Sequence, residues 1–198
     1  MNINAIKKIC MQNKRCAILN VGKTGGQWIS NGFAAYLVDS TIDVTEDNIL
    51  HIFDIEEDAK NKPIVTSTYV TENAEMYYTH GVSEKEERLE DVGAVWYGGE
   101  LYRALLGGEG LLFVNVGLLK PVKTEDYCEF YLRRVGEKAC VAVYADMFAS
   151  ALIMPLYAAS AVDLCGKLRD MLAHKVYGQD AGHAEEAAQQ VHMFEEGA

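Results

Sequence analysis

The sequence predicts an α+β fold in which one pattern, a short helix followed by three strands, occurs twice. Three observations carry this expectation. Residues 3–12 place Ile3, Ile6, Ile9 and Cys10 at helical spacing with Asn4, Lys7 and Lys8 between them, as in a short amphipathic helix. Short apolar runs separated by glycine-bearing turns follow, as strands do. The same order then returns at an offset that stays between 113 and 115 residues: Ile6 stands opposite Leu119, Gly22 opposite Gly136, and Phe33 opposite Phe148. A near-constant offset with matching element order points to a duplicated unit with antiparallel sheets.

The elements follow in order. Asn13-Lys14 makes a turn, and Arg15 to Asn20 forms a strand. Gly22-Lys23-Thr24-Gly25-Gly26 is a hairpin-type loop. Gln27 to Ser30 and Phe33 to Val38 are strands broken at Asn31-Gly32, a strong two-residue turn signal. Thr45 to Phe53 reads as a helix capped by Thr45 or Asp43. Residues 56–62 are a charged loop, and Ile64 to Thr71 is a β-branched strand. The charged stretch 83–91 reads as a helix turn or a long loop. Ala94 to Tyr97, Glu100 to Leu106 and Gly110 to Val114 are strands punctuated by glycine pairs.

In the second half, Asn115 to Lys120 begins a short helix limited by Pro121. Tyr127 to Arg134, Ala139 to Ala145 and Ala149 to Leu156 are strands. Residues 158–177 then form an amphipathic helix with Ala161, Leu164, Cys165, Leu168, Leu172 and Val176 on one stripe. Residues 178–198 read as a flexible acidic tail. The expected organisation is one domain over residues 1–157. Its halves span about 1–55 and 110–157, around an insertion-rich middle at 56–109.

The 198 residues are 49% hydrophobic and 24% charged, which supports a packed core and argues against global disorder. The net charge of −11 argues against coating nucleic acid by bulk charge, while leaving room for a local basic face. No apolar run approaches the ~20 residues of a bilayer span, and residues 1–8 lack a signal peptide's apolar stretch. A cytoplasmic protein without membrane partners is expected. The five cysteines, at 10, 16, 128, 140 and 165, are odd in number and form no C-x-x-C pair. They read as buried thiols rather than a disulfide framework or zinc site.

Chemistry-bearing motifs are weak. Gly22-Lys23-Thr24 resembles a phosphate loop, but Ala17 stands where its first glycine belongs, and the segment lies between strands. Histidines 51, 80, 174, 183 and 192 show no metal-ligand spacing. The acidic runs Glu56-Glu57-Asp58, Glu84 to Glu87 and Glu185-Glu186 read as solvated surface. No catalytic residue, metal site or cofactor is therefore called, and an enzyme would need a deep polar pocket with convergent titratable groups. The basic residues are more informative. Lys7, Lys8, Lys14 and Arg15 cluster at the first helix and its exit. Lys120 and Lys123 hold the matching place in the second half, followed by Arg133, Arg134 and Lys138. Two equivalent helices could line a nucleic-acid surface this way; solubilising charges on amphipathic helices are the plainer alternative.

One family carries these features together. Leu111 to Leu156 resembles the last repeat of bacterial DNA sliding clamps, the processivity subunit of the replicative polymerase. That family reads F-N-V-x-Y-L-L-x-A-L before three strands, the last ending Y-L-I-M-P-M. This chain reads Phe113-Val114-Asn115-Val116-Gly117-Leu118-Leu119-Lys120-Pro121-Val122, and later Ala151-Leu152-Ile153-Met154-Pro155-Leu156. The resemblance covers about a quarter of the chain. It implies a clamp-like domain of two similar halves and a non-enzymatic role in DNA replication. It also implies backbone contacts to double-stranded DNA from Lys7, Lys8, Lys14, Arg15, Lys120 and Lys123, and a homo-oligomer. Clamp rings use six such domains on longer chains; one domain with insertions, and with Pro121 interrupting the helix where the family continues it, fits a single-domain, phage-encoded variant better. The tail segment Gln190-Val191-His192-Met193-Phe194 resembles the short clamp-binding peptide. It implies docking of replication proteins through Gln190, Val191, Met193 and Phe194, and a module that binds partners without DNA is the alternative.

Overall fold

The computed structural model describes residues 2–22, 26–56, 59–60, 62–75, 78–79, 81–122, 128–135, 138–145, 148–156 and 162–166. The chain divides into two compact units, Met1–Leu156 and Tyr157–Ala198. In the second, residues 162–166 are helical. The first is an α+β body, with four helices and a ten-stranded sheet among the described residues.

Helix α1 spans Ile3–Gln12, and its cap is local chemistry. Asn2 Oδ1 accepts the Ala5 N–H at 3.1 Å, filling one of the unpaired donors of the first turn. The helix ends where Lys14 turns to a positive φ of 50°, and β1 (Arg15–Asn20) begins at once. β1, β2 (Gln27–Ser30) and β3 (Ala34–Leu37) form an antiparallel meander. The β2–β3 turn uses Gly32 at φ 96°, a region that favours glycine. Asn31 Oδ1 accepts the N–H groups of Phe33 and Ala34 at 3.0 and 2.8 Å.

After α2 (Ile49–Ile52), β4 (Ile64–Tyr69) returns parallel to β1 and forms one sheet edge. α3 (Glu72–Glu75) precedes β5 (Glu87–Tyr97), β6 (Glu100–Gly107) and β7 (Gly110–Asn115). α4 (Val116–Leu119) leads to β8 (Cys128–Val135), β9 (Lys138–Ala145) and β10 (Phe148–Ile153), a second antiparallel meander. The sheet order is β4-β1-β2-β3-β10-β9-β8-β5-β6-β7. The two meanders therefore meet at the antiparallel β3–β10 pair.

The sheet is buried on both faces at its centre because successive strand residues point to opposite sides. Ile29, Val141, Val143 and Ile153 join Ile6, Ile9, Cys10 and Leu119 in one apolar cluster. Their strand neighbours Trp28, Ala142, Tyr144 and Leu152 form the other. α1 and α4 come together on the first face. The Asn2 N–H donates to the Pro121 carbonyl at 2.8 Å, and Tyr36 Oη donates to the Leu118 carbonyl at 2.8 Å.

Several expectations need correction. The body holds more strand than its sequence pattern indicates. The charged stretch 83–91 is neither helix nor long loop from Glu87 onward, because it opens the 11-residue strand β5. β5 pairs with β8 through Glu87–Leu89 and with β6 from Glu90 on, bending at a bulge between Asp91 and Gly93. The helix expected over Thr45 to Phe53 is the single turn Ile49–Ile52. Asn48 is its N-cap and makes no side-chain capping bond. Asn48 Oδ1 instead accepts the Thr45 N–H at 2.8 Å. The last strand stops at Ile153, not Leu156. The limit expected at Pro121 stands, since α4 ends at Leu119 with Lys120 as its C-cap.

Candidate nucleic-acid interface

Of the basic residues in the first 38 positions, Lys7, Lys8, Lys14 and Arg15 lie on α1 or just beyond its end, and Lys23 lies outside the described residues. Lys8 is exposed on the face of α1 that turns away from buried Ile6, Ile9 and Cys10. Lys14 and Arg15 are exposed at its C-terminal end. Lys120, the C-cap of α4, is exposed near the opposite end of α1, where Asn2 meets Pro121. The ten residues of α1 separate these two basic ends by about 15 Å at 1.5 Å per residue. Lys7 differs. It is half-buried, and its Nζ donates to the Asp54 carbonyl at 2.9 Å, so it ties α1 to the exit of α2. Lys123 and the tail residues Gln190, Val191, Met193 and Phe194 lie outside the described residues.

The charge distribution has a signal beyond the individual lysines. Residues 1–38 contain five basic side chains and no acidic one; Asp39 is the first carboxylate. All 29 acidic residues therefore fall after position 38, against 13 basic ones. A single acid-free segment supplies β1, β2, β3 and the whole of α1. This asymmetry is readable from the sequence by splitting the charge count along the chain rather than totalling it.

Arg133 and Arg134 leave the basic cluster for physical reasons. The Arg133 side chain is 3% exposed and its Nε donates to Glu86 Oε1 at 2.7 Å, with Glu86 4% exposed. Its other nitrogens donate to the Thr79 carbonyl at 3.0 Å and to Tyr144 Oη at 2.6 Å. The acidic run at 84–87 is thus not wholly solvated surface: Glu86 is a buried partner. Burial pushes the Tyr144 hydroxyl up to about 12, with Arg133 opposing the shift. Burial likewise raises the Cys140 thiol to about 11. Arg134 pairs with Glu109.

Two other features gather polar side chains, a cleft and a thiol pair. A cleft of about 460 Å³ opens where β5 leaves β8. Of the charges that line it, Arg88 pairs with Glu129 at 2.8 Å and Asp91 with Arg103 at 3.1 Å, while Glu90 makes no ion pair among the described residues, and the Arg103 guanidinium stands 5.6 Å from the Phe130 ring centre. Cys10 and Cys16 are buried and share a thiol hydrogen bond, which raises the Cys10 pKa and lowers that of Cys16. Among the described residues no three His, Cys, Asp or Glu side chains group to hold a metal ion. No helix among them is long and apolar enough to cross a membrane.

No family model, curated protein or solved structure matches this chain. The likeness to sliding clamps therefore rests on the sequence motifs alone.

Proposed function

We propose that this protein is a non-enzymatic, clamp-type DNA-replication accessory that meets the phosphate backbone of duplex DNA through the α1 face. The observation that carries this reading is the acid-free segment 1–38, which presents Lys8, Lys14 and Arg15 without an acidic neighbour in sequence on an otherwise acidic chain. The arrangement of the body supports it. A helix followed by an antiparallel meander occurs twice, the helices share one face, and β3 and β10 join the two sets. Lys120 extends the basic line from the second helix. Backbone contacts of this kind release counterions and carry little sequence information.

The test is duplex binding as a function of salt. Affinity should fall with a log–log slope of roughly −0.9 per phosphate contact and be indifferent to sequence. K8E/K14E should make that slope shallower by about 2. The absence of binding at low salt, or an unchanged slope in the variant, overturns the reading. The net charge of −11 favours a second reading, in which the same fold docks replication proteins and leaves DNA alone. In that case deletion of residues 183–198 abolishes binding to a bacterial sliding clamp.

A further inference from the structure

Two exposed surfaces at opposite ends of the strands complement each other. The first is the β5–β6 hairpin. Phe148 of β10, Ala145 of β9 and Cys128 of β8 lie in register, marking one end of the sheet. β5 runs past Leu89, which faces Phe130, toward that end and continues as a hairpin turned by Gly98 and Gly99. Trp96 is 71% exposed near its tip, and Val92 is exposed along the same strand. Between Glu90 and Gly107 there are three carboxylates and one base; Arg103 pairs with Asp91, which leaves Glu90 and Glu100 as the acidic excess.

The second surface lies at the other end. Ile64 of β4 pairs with Arg15 of β1. The Arg15 guanidinium lies 3.5 Å from where a Cβ on Gly32 would stand. Phe33 follows, and its carbonyl accepts the Met154 N–H at 2.8 Å. Ile64 at 70%, Phe33 at 57% and Met154 at 55% exposure thus line up across neighbouring strands beside the guanidinium of Arg15. This is an apolar row with a basic centre: Arg15 and Phe33 come from the acid-free segment, Ile64 from β4 and Met154 from just past β10.

We infer that the chain assembles head to tail, with the acidic Trp96 hairpin of one copy seated on the Ile64–Arg15–Phe33–Met154 row of the next. A second copy is the occupant because each surface supplies what the other lacks. An exposed indole meets a guanidinium and apolar side chains, and the hairpin's excess of carboxylates meets exposed Lys14 and Arg15. Trp and Arg are the residue types that anchor interfaces. Strand addition at the sheet edges is a poorer route, because the chain closes parts of both edges itself. On β4 the Ser67 N–H is taken by Glu46 Oε1 at 2.6 Å, and on β7 the Phe113 carbonyl accepts the Leu156 N–H at 2.8 Å. A contact between unlike surfaces is heterologous, so it yields a ring or an open filament.

The inference is independent of DNA and is tested without it. Sedimentation equilibrium of the full chain, from low to high micromolar, should show the mass rising to twice 21.9 kDa or beyond. W96E and F33E, both at exposed positions, should each stay at the single-chain mass with unchanged circular dichroism. Mixed in equal amounts they should form a complex that stops at two chains, because W96E keeps an intact row and F33E an intact hairpin. A wild-type mass that stays at one chain overturns the inference. So does association that survives in either variant alone, or a mixture that fails to pair.

Discussion

Arg133 illustrates how one side chain can reverse a sequence-level expectation. A guanidinium next to a second arginine near the end of a strand looks solvent-facing, yet here it is buried with its donors matched by Glu86, Tyr144 and the Thr79 carbonyl. The pair links residues 47 apart and fastens the connector before β5 to β8. Removing one member of such a pair leaves the other charge buried, a loss of about 3–5 kcal/mol. R133M should therefore lower the urea midpoint by that equivalent with an unchanged m-value. E86L/R133M should cost less than the two single substitutions combined, since no lone charge remains. If R133M costs under ~1 kcal/mol, as an exposed pair would, the buried network is wrong.

At the scale of elements, Asn115 gives the resemblance motif a physical job. Its Oδ1 accepts the Gly117 N–H at 2.7 Å as the N-cap of α4, and its Nδ2 donates to Glu100 on β6. α4 has only four residues, so it depends on its ends. N115A should cost about 1 kcal/mol by thermal melt, the usual value of a lost cap. N115D should be no better, because it sets a second carboxylate against Glu100; full rescue by N115D would show that the Glu100 contact does not form.

The same scale explains what the sequence reveals. The helix over 3–12 and the strands at 15–20 and 27–30 are legible because their signals are local: spacing, a cap and the Asn31-Gly32 turn. The start of β5 is not, since Glu84-Lys85-Glu86-Glu87-Arg88 carries too much charge to show alternation while Glu86 is neutralised from far away. Lys8, Lys14 and Arg15 are legible as a basic cluster. The apolar row beside Arg15 is not. It needs β4 parallel to β1 across 49 positions, and β3 against β10 across more than a hundred.

At the largest scale, the Met1–Leu156 unit divides into a centre covered on both faces and an arm that is not. β9 and β10 lie between strands on either side, and Val141, Ala142, Val143, Ala151 and Ile153 are buried. In the outer β5–β6 hairpin, Val92, Gly93, Ala94 and Trp96 are all exposed, so little apolar burial supports its tip. Amide exchange reports such differences as opening free energies, with fraying elements near zero and core strands near the global value. In dilute solution the amides of β9 and β10 should exchange slowest and those around Trp96–Glu100 fastest. Head-to-tail assembly covers the hairpin, so protection at Ala94 to Tyr102 should rise with protein concentration while β9 and β10 stay unchanged. The residues around Ile64, Phe33 and Met154 should gain protection in parallel. Equal protection at both concentrations, with the mass also rising, would move the contact to another surface.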